Sequence, residues 1–151
     1  MDLVSKSAIE VSTLALNALS SRHNALAANI ANADTPGYKR TDVKFEDQLV
    51  QIIQKDEQIE KQKMKNSMGL SYSPTSLPLP GGSTSQNELY KKFTPEMYET
   101  DNAAIKPNGN NVNVEYEMAE LAKNGTKYTA IATFQEKMFM GLKTVIEHGG
   151  R

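Results

Sequence analysis

Side chains able to do covalent or metal chemistry are few in this sequence. There are two histidines, His23 and His148, and no cysteine, the two residue types from which a zinc site is chiefly built. Carboxylates gather at Asp42, Glu46 and Asp47 and again at Glu115, Glu117 and Glu120, yet nothing positions a nucleophile or base beside either group. Both clusters read as solvated faces of charged helices. Asn124-Gly125-Thr126 fits the pattern of a glycosylation acceptor, but it falls inside a predicted helix. No enzyme activity, cofactor, metal or small-molecule substrate is expected. The polar residues that stand out are of another kind: asparagines set beside proline and glycine, in types and spacings that build turns.

The elements around those turns follow from composition and periodicity. The chain has 151 residues, 38% of them apolar, with no tryptophan and four phenylalanines. A large self-sufficient core is not expected from so few bulky apolar residues. Its 17 basic and 18 acidic side chains nearly cancel, which gives no electrostatic reason to expect nucleic acid or an anionic membrane as partner. No apolar run approaches the ~20 residues of a membrane span. The N-terminus lacks the continuous apolar stretch of a secretory signal, since Ser5, Ser7, Glu10, Ser12, Thr13 and Asn17 interrupt it.

Residues 1–40 are read as an N-terminal axial helix ending in an Asn/Pro/Gly turn. Ile9, Leu16, His23 and Ile30 recur at one heptad position, and Ser12, Leu19, Leu26 and Ala33 at the other, the two columns of a coiled-coil seam. The stretch NIANADTPGY (29–38) stops the pattern. Asn29 and Asn32 can bond the free carbonyls of a last turn. Pro36 and Gly37, just before Tyr38, suit the two central positions of a type II turn.

Residues 41–65 read as a shorter middle helix, with Asp42 able to cap it and Phe45, Leu49, Ile52 and Ile53 on a narrow apolar face. Residues 66–107 read as an irregular insert, rich in Pro, Gly, Ser and Thr over its first part and extended or irregular after that. Residues 108–151 open on a tight turn of Asn108, Gly109, Asn110 and Asn111, with Asn111 or Asn113 as helix cap. A long C-terminal helix then runs from Val114, with Met118, Leu121, Tyr128, Ile131, Phe134, Met138, Leu142 and Val145 at helical spacing. About 34 residues at 1.5 Å each would span roughly 50 Å. The fold class is therefore mainly α: long terminal helices in a coiled-coil-like hairpin, a shorter middle helix, and an irregular centre. Two such helices bury little by themselves, so an assembly protein is expected.

The quoted segments also carry a family resemblance. SSRHNALAA followed by NIANADTPGYKR closely resembles the signature of bacterial flagellar rod and hook (axial) proteins. KFEDQL after it, and GNNVNVEYEMAELAKNGTKYTAIATFQEKMFMGLKTVI near the C-terminus, resemble the proximal rod proteins of the basal body. The likeness covers roughly residues 5–60 and 105–148, leaves the insert unmatched, and is shared by two neighbouring proximal rod subunits. It implies a structural subunit of the hollow rod that crosses the periplasm, exported unfolded through the flagellum's own type III apparatus. Implied partners are further copies of the chain, other rod subunits, the adaptor protein at the rod base, the MS ring and the export gate. A soluble coiled-coil adaptor or chaperone that binds a partner helix is the competing reading.

Overall fold

The structure is a computed structural model that describes residues 6–67, 90–100 and 106–148. Of the insert expected at 66–107, residues 68–89 and 101–105 lie outside the described residues. The element order is α1 (Lys6–Ala31), β1 (Thr41–Lys44), α2 (Glu46–Ser67), β2 (Glu96–Glu99) and α3 (Val114–His148). The chain divides into two compact units, one of residues 1–45 with 94–151 and the other of 46–93.

In the first unit α1 and α3 lie antiparallel. Asn124 reaches Leu19, Gln135 reaches Thr13, and Glu117 reaches Asn29, so one helix descends as the other rises. The buried stripe of α1 is rotated from the seam that bulky residues alone suggest. Ser12, Leu19, Leu26 and Ala33 are buried as one column. Ala15, Arg22 and Asn29 form a second column, with Ala15 and Asn29 buried and Arg22 half-buried, and Ala18 and Ala25 a third, both buried. Ile9, Leu16 and Ile30 are only half-buried, and His23 is exposed. The physical reason is that Arg22 and Asn29 are paired from β1 and α3, so their burial is compensated.

Leu121, Ile131, Met138 and Leu142 of α3 are half-buried, while Met118, Tyr128, Phe134 and Val145 are exposed. On other faces of α3, Thr126, Thr129, Thr133 and Thr144 each donate the hydroxyl to the carbonyl four residues back. Their hydroxyl protons are thereby used within the helix, which leaves an acceptor oxygen and a methyl group at each position.

β1 and β2 pair antiparallel, Val43 opposite Met97. Asp42 belongs to this strand, so it does not cap the middle helix as its sequence position suggested. Its carboxylate instead accepts from the Val43 N–H. α2 begins at Glu46, with Glu46 and Asp47 in its first turn and Lys65 in its last, the arrangement that the helix dipole favours.

Both tight turns form. The Tyr38 N–H donates to the Thr35 carbonyl at 3.3 Å across Pro36-Gly37, and Gly37 has φ +73°, as a type II turn requires. The second turn runs from Lys106, whose carbonyl accepts from the Gly109 N–H at 2.8 Å, and Gly109 has φ +79°. Asn113, rather than Asn111, caps α3, accepting from the N–H groups of Glu115 and Tyr116. Gly125 marks no close approach, since a Cβ there would meet nothing within 4 Å.

These glycines should respond to alanine in opposite directions. Gly109→Ala places a side chain in left-handed backbone and should cost about 1–2 kcal/mol. Gly125→Ala, helical and unobstructed, should gain about 1 kcal/mol. Urea melts of the two variants beside the parent chain read both signs.

Candidate functional site

The one concentrated set of polar contacts in the described residues is a clasp that joins the two turns to the end of α1, to β1 and to the start of α3. It is built outward from Glu117, whose side chain is 0% exposed. One carboxylate oxygen of Glu117 accepts from Arg40 Nε at 2.6 Å, and the other from Asn29 Nδ2 at 2.8 Å. Arg40 also reaches Thr100 Oγ1 at 3.1 Å and Asp42 at 3.2 Å, and its guanidinium lies over the Tyr116 ring. Both charges are thus removed from water only with several partners in place, the condition under which a buried pair is tolerated.

Asn29 is the second hub. Besides Glu117, its Nδ2 donates to the Thr41 carbonyl at 2.7 Å, and its Oδ1 accepts from the Thr41 N–H at 3.0 Å. These two bonds serve the edge of β1 that faces away from β2. Arg22 serves the same edge one helical heptad earlier by donating to the Val43 carbonyl. It also pairs with Asp42 at 3.2 Å and lies over Phe45. Side chains of α1 therefore stand in for a third strand.

The asparagines of the second turn complete the closure. Asn110 Nδ2 donates to the carbonyls of Asn32 and Thr35, at 2.9 and 2.8 Å. Asn111 accepts from the Arg40 N–H and donates to the Thr100 carbonyl, each at 2.6 Å. The Gly37 N–H donates to the Asn108 carbonyl at 3.0 Å, and the Gly109 Cβ position lies 3.6 Å from Gly37 Cα. The two glycine turns touch backbone to backbone.

Burial by itself would lower the Arg40 pKa. The hydrogen bond and charge of Glu117, and then Asp42, outweigh it and hold the guanidinium above its ordinary value. A raised folded pKa gives stability that is complete below the unfolded value and is lost only as pH climbs through the folded one. Arg40 thus contributes no pH dependence in any ordinary buffer.

The clasp holds no reactive pair; its groups are consumed in positioning backbone. An open hollow of about 960 Å³ lies beside it, lined by Tyr98, Thr100, Lys106 and the first turn of α3. No metal-binding cluster of His, Cys, Asp or Glu occurs among the described residues, and no described helix is long and apolar enough to cross a membrane.

Comparison with known proteins bears on what this architecture serves. The family described as flagella basal body rod protein matches residues 9–39, which is α1 and its turn. The flagellar basal body rod protein FlgB of Buchnera aphidicola subsp. Acyrthosiphon pisum is 32% identical over 134 residues, 88% of this chain and 89% of the relative. The chain belongs to the FlgB family of flagellar basal body rod proteins. FlgB of Yersinia ruckeri is 31% identical over 137 residues, 89% of this chain and 90% of that one. FlgB of Salmonella typhimurium is 29% identical over 138 residues, with 89% of each covered. As a FlgB-family member the chain is a structural subunit of the flagellar basal-body rod, and the choice between the two proximal subunits falls on FlgB.

Of the turn residues singled out in the sequence, Asn29, Gly37, Tyr38, Gly109, Asn110 and Asn111 come together in the clasp, while Pro36 shapes the turn from its exposed face. Asn32 bonds the Ala28 carbonyl at 2.8 Å, capping α1, and supplies a carbonyl to Asn110. Asn29 does not cap; its amide leaves the helix for β1 and Glu117. Glu117 and Arg40 were missed. Sequence pattern places Glu117 with Glu115 and Glu120 on a solvated face, whereas the structure buries it completely. A signal existed: Glu117 shares a helical face with Leu121, Asn124 and Ile131, at spacings of four, seven and fourteen.

Glu117→Ala should destabilise the chain by about 3–5 kcal/mol, because it strands Arg40 and Asn29 without their acceptor. Glu120→Ala, which removes an exposed pair with Lys123, should change stability by no more than about 0.5 kcal/mol. Chemical denaturation of both variants makes the comparison.

Proposed function

We propose that copies of this chain pack through α1 and α3, with one another and with other rod subunits, into a hollow shaft that transmits torque. In this reading the chain is exported unfolded by the flagellar type III apparatus and ends in the periplasmic space. There it meets the rod-base adaptor, the MS ring and the export gate. The observation that carries the reading is the surface of α3, on which Tyr116, Met118, Tyr128, Phe134, Phe139 and Val145 are all more than two-fifths exposed. Apolar side chains around so much of a 35-residue helix fit a helix covered by neighbours rather than by its own chain.

The packing residues divide under this reading. Leu19 and Leu26, with Ile9, Leu16, Ile30, Leu121, Ile131, Met138 and Leu142 beside them, serve the pairing of α1 with α3. Met118, Tyr128, Phe134 and Val145 serve contacts between subunits. The FlgB relatives, named as rod proteins, support the same destination. A contact whose rotation does not close on itself generates a filament, as a shaft requires.

Phe134→Asp separates these roles. At 55% exposure the substitution should leave the stability of the isolated chain within about 0.5 kcal/mol. It should nevertheless abolish swimming and leave basal bodies without a complete rod, seen by motility assay and electron microscopy. Intact rods built from the variant would remove Phe134 from the intersubunit surface.

A further inference from the structure

The chain contains two Asn-Gly sequences, Asn108-Gly109 and Asn124-Gly125, and the structure treats them very differently. An asparagine followed by glycine can modify itself. The glycine nitrogen attacks the asparagine side-chain carbonyl carbon, a C–N bond closes a five-membered succinimide, the attacking nitrogen gives up its proton, and the side-chain nitrogen leaves as ammonia. Water then opens the ring. Cleavage at the side-chain carbonyl yields aspartate, and cleavage at the main-chain carbonyl yields isoaspartate, with the backbone rerouted through the side chain.

We infer that Asn108 is a self-modification site of this protein, converting through a succinimide with Gly109, and that Asn124 is not. Asn108 is exposed. Its Oδ1 accepts from the Asn110 N–H at 3.1 Å, which folds the side-chain carbonyl back toward the main chain that follows it. The same N–H polarises that carbonyl and stabilises the oxyanion that develops on attack. Gly109 presents no side chain to the approach. Its N–H makes one turn bond, to the Lys106 carbonyl at 2.8 Å, so freeing it for attack breaks a single turn and no helix.

Asn124 has the opposite surroundings. It is buried in mid-helix, and its Nδ2, the group that must leave, is held by the Leu19 carbonyl at 2.9 Å. Its Oδ1 is buried without a hydrogen-bond donor among the described residues, so nothing stabilises an oxyanion there. Reaction at Asn124 would require parting α3 from α1.

The consequence at Asn108 depends on the product. Aspartate retains the carbonyl that accepts the Gly37 N–H and an oxygen for the Asn110 N–H. Isoaspartate turns that main-chain carbonyl into a free carboxylate and lengthens the turn by one carbon, so the contact between the two glycine turns is lost.

The test needs only the full-length chain, incubated folded in mildly alkaline buffer and, in parallel, in concentrated urea. Peptide mapping by mass spectrometry follows amide-to-acid conversion at each asparagine. In the folded chain Asn108 should convert more than about tenfold faster than Asn124, since surface turns open far more often than helix cores, and in urea the two rates should converge. Equal rates in the folded chain, or conversion of Asn124 first, would overturn the assignment.

Discussion

A carboxylate taken wholly out of water must be met by donors on every side that counts, and Glu117 imposes that demand on the fold. Arg40 and Asn29 answer it, and each is drawn to a fixed place by doing so. Arg40 brings the chain after the first turn against the start of α3. Asn29 brings the last turns of α1 against both α3 and β1. Neither could be buried on its own account, since an unpaired guanidinium or amide in that position costs more than the packing around it returns. The pairing therefore acts more as a specification of geometry than as a source of net stability.

From that constraint the rest of the first unit follows. With Asn29 and Arg22 satisfying one edge of β1 and β2 the other, a two-stranded ribbon that would be marginal in isolation is held at the end of a helix pair. The glycine turns can then touch, because neither carries a side chain at the contact. Asn110 of the second turn donates to the carbonyls of Asn32 and Thr35 just past the end of α1, and Asn111 ties the chain after the first turn to the residue that follows β2. Helix pairing supplies apolar burial, but among the described residues only Leu19, Leu26, Val43 and Val112 are large apolar side chains less than 2% exposed. Polar contacts fix where the helices end and how the chain leaves them.

Much of this could be read from the residues, and what could not has a common cause. The long helices were legible because Leu, Ile and Ala recur at helical spacing. The turns were legible because Pro36-Gly37 and Asn108-Gly109 restrict backbone in known ways. Illegible were the side chains whose role depends on a partner far along the chain. Glu117 looks like one of three surface acids until Arg40, 77 residues earlier, is placed beside it. The true second column of α1, through Ala15, Arg22 and Asn29, looks polar and discontinuous for the same reason. Asp42 looks like a cap because caps are local, and its actual partners, Arg22 and Arg40, are not both local.

The threonines of α3 carry a consequence for any surface laid against them. Because Thr126, Thr129, Thr133 and Thr144 spend their hydroxyl protons on their own helix, an approaching helix has no donor to satisfy there and meets an acceptor oxygen and a methyl group at each position. A branched alcohol here has a built-in place for its proton once the backbone is helical, and no such place when the chain is extended.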